Sequence, residues 1–126
     1  MRSARDDRTG SWDRKISKTL LDFAAPLLKV MPADASQEDF EKVLRVAVTV
    51  WNSVVFDYVN ADDHYATQVR RLISRSPGTG LLVNRLIARK RTRFGRDRRL
   101  IGGYKVTLKE GQLNLWMEAR APRSRS

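Results

Sequence analysis

The central segment of the chain, residues 36–60, reads SQEDFEKVLRVAVTVWNSVVFDYVN and decides the fold. Ser36 suits the N-cap of a helix, and Glu38 and Asp39 suit its first turn, where the helix dipole favours negative charge. The β-branched residues in the middle would fit a strand, but about twenty residues without a turn signal exceed normal strand length. We therefore predict one long helix. Because it is apolar on nearly every side, we expect it to be the central element, and the helical spacing of its aromatic residues, Tyr58 included, indicates that they belong to the core.

Further helices are predicted on both sides of this segment. Upstream, residues 12–30 carry apolar side chains at spacings of three and four, which indicates one helical face. Pro26 removes a backbone donor there, so we expect a kink or a break just before it. Downstream, Asp62 or Asp63 suits the N-cap of a helix that ends near residue 74.

The last part of the chain changes from a helical to an alternating pattern. A loop is expected over residues 76–80 and a shorter helix over residues 81–92. Apolar and polar residues then alternate over residues 100–108 and 112–119 around a short turn, which predicts an antiparallel hairpin. Its apolar face would carry Tyr104, Val106, Leu108, Leu113, Leu115 and Met117.

The order of these elements predicts the α+β class, with three to four helices followed by a C-terminal two-stranded antiparallel β-hairpin packed on the helices. We expect a single domain over residues 11–121 and disordered tails over residues 1–10 and 122–126, which offer little to bury. No apolar stretch is long enough to span a bilayer, so no membrane association is expected. The absence of cysteine fits a reducing, cytoplasmic location.

The positive charge of the chain is concentrated in one segment. The whole protein carries a net charge of +11, and residues 70–105 alone carry twelve Lys or Arg against the single Asp97. Residues 34–63, by contrast, carry two basic and seven acidic side chains. Such asymmetry within a small domain indicates a surface with a preferred kind of partner.

The basic segment predicts contact with nucleic acid, because guanidinium groups pair with phosphates in two-pronged geometry and counterion release favours such contacts. An acidic protein surface and a plain solvated face are the alternatives, and the acidic segment could also neutralise part of the charge within one molecule or across a homodimer. The candidate phosphate-contacting residues are Arg70, Arg71, Arg75, Arg85, Arg89, Lys90, Arg91, Arg93, Arg96, Arg98, Arg99 and Lys105.

Three aromatic residues are candidates for contact with a partner. Phe94 and Tyr104 lie within the basic segment and would add stacking surfaces for bases. Trp116 falls on the polar face of its strand, and an exposed aromatic side chain there would mark a contact site. A protein-interaction module or small subunit that uses the hairpin and Trp116, with a homo-oligomer left open, is therefore the second hypothesis.

The sequence favours a non-catalytic role. His64, the only histidine, follows Asp62 and Asp63, and this triplet could be interpreted as a general base or, together with Asp57, as a hard-metal site. An N-cap is the simpler role for the two aspartates. The glycine-containing loop over residues 77–80 lacks the lysine of a P-loop, and no matching nucleophile motif is present. We assign no catalytic residue, metal ion or cofactor.

Overall fold

A computed structural model describes residues 15–73 and 77–121 of the chain. The predicted α+β architecture is confirmed, with five helices in these ranges and a C-terminal two-stranded antiparallel hairpin that packs on the third helix. No helix in the described ranges is both long and apolar enough to cross a bilayer. The elements are α1 (Ile16–Phe23), α2 (Ala25–Leu28), α3 (Gln37–Asn60), α4 (His64–Ile73), α5 (Pro77–Thr92), β1 (Leu100–Lys109) and β2 (Gln112–Arg120).

The break expected before Pro26 is present and divides the first helical segment. α1 ends at Phe23, and α2 begins at Ala25 with Pro26 in its first turn. Proline is tolerated there because the first amides of a helix have no intrahelical partner. This division accounts for one helix more than the sequence predicts. The tails predicted over residues 1–10 and 122–126 lie outside the described residues.

The N-terminus of α3 is a complete capping box. The Ser36 hydroxyl accepts a hydrogen bond from the amide of Asp39 at 3.1 Å, and the Asp39 carboxylate accepts one from the amide of Ser36 at 2.9 Å. The hydrogen bond from the Ser36 amide lowers the pKa of Asp39. Such a box typically stabilises a helix by about 1 kcal/mol, so the predicted start of the central helix is confirmed.

The core is built around Trp51 in the middle of α3. Its ring contacts Phe23 of α1 edge-on, with centroids 5.3 Å apart, and Phe94, with centroids 6.0 Å apart. Phe23 and Phe94 also meet edge-on at 5.7 Å. Aromatic pairs in these geometries contribute roughly 0.5–1.5 kcal/mol each beyond the area that they bury. The aromatic cluster therefore joins α1 and α3 to the segment that follows α5.

The helix α5 begins earlier than the sequence predicts. Residues 77–80, predicted as a loop, form its first turn, with Pro77 as the first helical residue. The prediction was wrong because a proline and two glycines were interpreted as a turn, whereas proline is well suited to the first position of a helix. The predicted C-terminal end at Thr92 is confirmed.

The hairpin has the predicted pairing and one irregularity. Tyr104 pairs with Met117 and Val106 with Leu115, as the alternation requires, and the turn has positive φ at Glu110 (52°) and Gly111 (78°). The register shifts by one residue between Ile101 and Gly103. This β-bulge reverses the alternation, so Ile101 is buried on the same side as Val106.

Side chains of α3 hold the start of β1. The amide group of Asn52 donates to the carbonyl oxygen of Ile101 at 3.0 Å and accepts from the Ile101 amide at 2.8 Å. The indole nitrogen of Trp51 donates to the carbonyl oxygen of Arg99 at 2.7 Å. These long-range hydrogen bonds replace a neighbouring strand at this edge and fix where the chain enters the hairpin.

Candidate functional site

Residues 93–99, which we call the connector, link α5 to β1 and carry four arginines in seven residues. The last turn of α5 continues into the connector through hydrogen bonds from the amides of Arg93 and Phe94 to the carbonyl oxygen of Arg89. A Cβ atom on Gly95 would lie 2.6 Å from the carbonyl oxygen of Arg91. Only glycine fits such a close approach of backbone to backbone, so the path of the connector depends on this residue.

Lys90 holds the connector from inside. Its side chain is only 2% exposed, and its ammonium group donates to the carbonyl oxygens of Phe94 at 2.6 Å and Asp97 at 2.5 Å. The ammonium nitrogen also lies 4.1 Å from the centroid of the Trp51 ring, a favourable cation–π distance. Lys90 is therefore a buried residue that stabilises the connector backbone, not a surface residue that could contact phosphate.

Burial lowers the pKa of Lys90 from 10.5 to about 8. The negative charge of Asp97 opposes this shift, while the positive charges of Arg99 and Arg98 add to it. The ammonium group is thus charged at neutral pH, when it binds the two carbonyl oxygens most strongly.

Asp97 and Arg99 form a buried ion pair at the end of the connector. One guanidinium nitrogen of Arg99 lies 2.5 Å from Asp97 Oδ2, and its Nε donates to Oδ1 at 2.9 Å. The two side chains are buried, and the residues between and before them, Arg98 and Arg96, are exposed. This inward and outward alternation separates the basic residues of the connector into structural and surface groups. Arg99, like Lys90, is interior and does not belong to an exposed basic face.

A cleft of about 670 Å³ opens beside the connector. Its walls come from residues 54, 55, 57 and 58 of α3, residue 62 after it, residues 90–92 of α5 and residues 95–98 of the connector. Three exposed arginines, Arg91, Arg96 and Arg98, belong to this lining. We call this feature the connector cleft. It brings together side chains that the sequence predicted as one basic surface.

Tyr58 forms one wall of the connector cleft together with Arg98. The guanidinium carbon of Arg98 lies 3.9 Å from the centroid of the Tyr58 ring, and the guanidinium group also donates to the Tyr58 hydroxyl. The Tyr58 side chain is 53% exposed. Its helical spacing indicated a core residue, so sequence reasoning missed it. The sequence signal for its exposure is its position in the last turn of α3, because the apolar face of the helix extends there beyond the core.

Besides the carboxylate of the buried ion pair, two carboxylates line the connector cleft. Asp57 is buried and accepts hydrogen bonds from the amides of Tyr65 and Ala66, both at 2.8 Å, so it caps α4 from a neighbouring helix. Asp62, one of the two residues predicted to cap α4, accepts only a long hydrogen bond, from the amide of His64 at 3.4 Å. Burial raises the pKa of Asp57, and its two amide hydrogen bonds oppose that shift.

Other residues of the predicted basic surface lie away from the connector cleft. Arg89 donates to the carbonyl oxygens of Asp22 at 2.7 Å and Phe23 at 3.1 Å, where it satisfies the C-terminal end of α1. Arg93 lies 3.4 Å from the carboxylate of the same Asp22. Arg89 is therefore structural, and a charge reversal at this position would damage the fold.

The remaining basic candidates are spread over other elements. Arg70 donates to the side-chain oxygen of Asn84 at 2.8 Å and so joins α4 to α5. Arg71, Arg85 and Lys105 are exposed on α4, α5 and β1 respectively. Arg75 lies outside the described residues. The basic segment thus does not form one continuous group, and the connector cleft is where three of its arginines line a common space.

The three aromatic candidates have different environments. Phe94 is 8% exposed within the core cluster, and Tyr104 is partly buried against it, so neither is a free stacking surface. Phe94 was misjudged because the sequence does not show that the connector turns this ring into the core, whereas Tyr104 packs there as part of the apolar hairpin face that the alternation predicts. Trp116 is 61% exposed and is paired with Lys105 on the outer face of the hairpin.

His64 is exposed at the start of α4 and contacts Gln68, with 3.3 Å between the two side-chain nitrogens. Within residues 15–73 and 77–121, no group of three His, Asp or Glu side chains is arranged to hold a metal ion. Comparisons with protein-family models, curated proteins and solved structures found no match to this chain.

Proposed function

We propose that the protein is a non-catalytic nucleic-acid-binding protein whose phosphate contacts are made by Arg91, Arg96 and Arg98. The observation that carries this proposal is that these three arginines are exposed and line one cleft. They belong to the segment that carries the positive charge excess of the chain. Arginine is the side chain best suited to phosphate, because its planar guanidinium group can donate two parallel hydrogen bonds.

The rigidity of the connector supports this role. Lys90 and the pair Asp97–Arg99 fix the backbone on both sides of Arg96 and Arg98 through buried hydrogen bonds. A preorganised site loses less conformational entropy on binding than a flexible basic tail does. The interior charges of the connector therefore support the exposed ones.

The experiment is a salt series with fluorescein-labelled DNA and RNA, followed by fluorescence anisotropy. The wild-type protein is compared with the triple variant Arg91→Gln, Arg96→Gln and Arg98→Gln. Each phosphate contact with a single strand contributes about −0.7 to the slope of log K against log salt, so the triple variant should have a slope smaller by about 2.

The matched control is a second triple variant, Arg45→Gln, Arg71→Gln and Arg85→Gln. All three of these arginines are exposed and none lines the connector cleft, and the net charge changes by the same amount in both variants. The control should retain most of the wild-type slope. No detectable binding at low salt, or equal loss in both triple variants, would overturn the proposal.

A second candidate function is protein association through the outer face of the hairpin. The specific observation in its favour is Trp116, a large aromatic side chain that is 61% exposed on a sheet face. Multi-angle light scattering should then show an oligomer that Trp116→Ser converts to a monomer, or a pull-down should recover one defined partner. A monomeric wild-type protein that recovers no partner would eliminate this candidate.

A further inference from the structure

We infer that the connector cleft accepts a single nucleotide unit, with its base stacked against the Arg98–Tyr58 wall and its phosphate beside Arg91 and Arg96, while the remaining N–H groups of Arg98 contact the next phosphate of a strand. The phosphate part of this inference rests on the proposed function. The base part goes beyond it, because it predicts that the protein prefers unpaired nucleotides to a duplex.

The stacking wall is the first argument. The Arg98 guanidinium group lies over the Tyr58 ring at 3.9 Å and is held there by its bond to the Tyr58 hydroxyl. Both residues are exposed, and both line the cleft. Aromatic rings and guanidinium planes are the surfaces on which proteins stack unpaired bases. A base placed against this wall would extend a stack that the protein has already formed.

The size of the cleft is the second argument. Its volume of about 670 Å³ lies in the range of small-molecule and cofactor sites, roughly 300–1,000 Å³. A base within a duplex is stacked between its neighbours and is not free to enter such a space. An unpaired base is free to enter, so the shape of the site favours single strands, loops or free nucleotides.

The distribution of charge is the third argument, and it orients the nucleotide. The cleft lining includes the carboxylates Asp57 and Asp62 near the end of α3, where a phosphate would be repelled, whereas the charge of its third carboxylate, Asp97, is balanced by the buried ion pair. Arg91 and Arg96 come from α5 and the connector instead, so the phosphate belongs on that side. The carboxylates are hydrogen-bond acceptors, and the amino groups of a base edge are donors that suit them.

The test uses three probes of equal length: a single-stranded oligo(dA), an abasic single strand with the same phosphates, and a duplex. Each is measured by anisotropy with the wild type, Tyr58→Leu and Tyr58→Phe, and adenosine monophosphate is added as a competitor. Circular dichroism verifies that the variants, altered at an exposed side chain, remain folded. Stacking one base contributes roughly 1–3 kcal/mol, so Tyr58→Leu should weaken oligo(dA) binding about 5- to 150-fold.

Tyr58→Phe keeps the ring and should bind oligo(dA) within about threefold of the wild type, and Tyr58→Leu should weaken binding of the abasic strand much less than binding of oligo(dA). If adenosine monophosphate displaces labelled oligo(dA) at a lower concentration than unlabelled oligo(dA) does, the site is supported. Its ligand is then a free nucleotide rather than a strand. Equal binding of all three probes, with normal salt dependence, would overturn the inference while leaving the proposed phosphate contacts standing. No binding of any probe or of the monophosphate would overturn both.

Discussion

Replacing Asp97 with Asn removes one charge from the buried ion pair of the connector while keeping the size of the side chain. Arg99 would then lose the carboxylate of Asp97 while it stays in the interior, close to the buried ammonium group of Lys90. Asp97 is 2% and Arg99 7% exposed, so water cannot replace the lost contact. The substitution therefore tests whether this pair fixes the path of residues 93–99.

The cost follows from the burial of the pair. Removing one partner of a buried ion pair typically costs about 3–5 kcal/mol, because the other charge stays buried and loses that contact. For a chain of this length, such a loss lowers Tm by roughly 10–20 °C. Because Asp97 also counteracts the lowering of the Lys90 pKa, its removal should take that pKa further below 8.

Thermal and urea unfolding, followed by circular dichroism and by tryptophan fluorescence, measure this cost. The control is Glu118→Gln, which breaks the exposed ion pair with Arg120 and should change stability by less than about 1 kcal/mol. The double variant Asp97→Leu, Arg99→Met replaces both charges and should be more stable than Asp97→Asn. If Asp97→Asn unfolds like the wild type, or the double variant is the less stable of the two, the reasoning about the connector is wrong.

Three further predictions concern the residues that shape the cleft. The pKa of Lys90 is about 8 in the folded chain, whereas an unperturbed lysine, as in the unfolded chain, has a pKa of 10.5. The unfolded chain therefore binds the extra proton between these pH values, so the free energy of unfolding should rise with pH there, by at most about 3 kcal/mol. Lys90→Met should abolish that rise in urea titrations at successive pH values. Asp57→Ala leaves two α4 amides without their carboxylate and should cost about 2–3 kcal/mol in thermal unfolding, whereas the exposed Asp63→Ala should cost almost nothing. Gly95→Ala forces a Cβ against the carbonyl oxygen of Arg91 and should lower stability by roughly 1–3 kcal/mol, with weaker oligonucleotide binding.

The elements that the sequence predicts well are those determined by local chemistry. The capping box at Ser36, the break before Pro26 and the pairing of Val106 with Leu115 each follow from a few neighbouring residues. The bulge before Gly103 is different, because a strict alternation would place Ile101 on the outer face. Only the contact of β1 with α3 decides that Ile101 turns inward, and that contact is not visible in the local pattern.

The candidate site could be predicted only in part for the same reason. The sequence identifies a basic segment, but it does not distinguish Arg96 and Arg98, which are exposed, from Lys90 and Arg99, which are buried. That distinction depends on the carbonyl oxygens, the carboxylate and the aromatic ring that the fold brings to the two buried cations. Tyr58 was assigned to the core because its spacing fits the apolar face of α3, although that face extends beyond the core at its end.

The most direct test of the connector cleft is a titration of the ¹⁵N-labelled protein with a single-stranded oligonucleotide, followed by amide and arginine side-chain chemical shifts. We predict that the largest changes fall on residues 91–98 and on Tyr58, and that the indole signal of Trp116 moves little. Changes centred on Trp116 and the outer face of the hairpin, with residues 91–98 unaffected, would contradict the assignment of this cleft as the binding site.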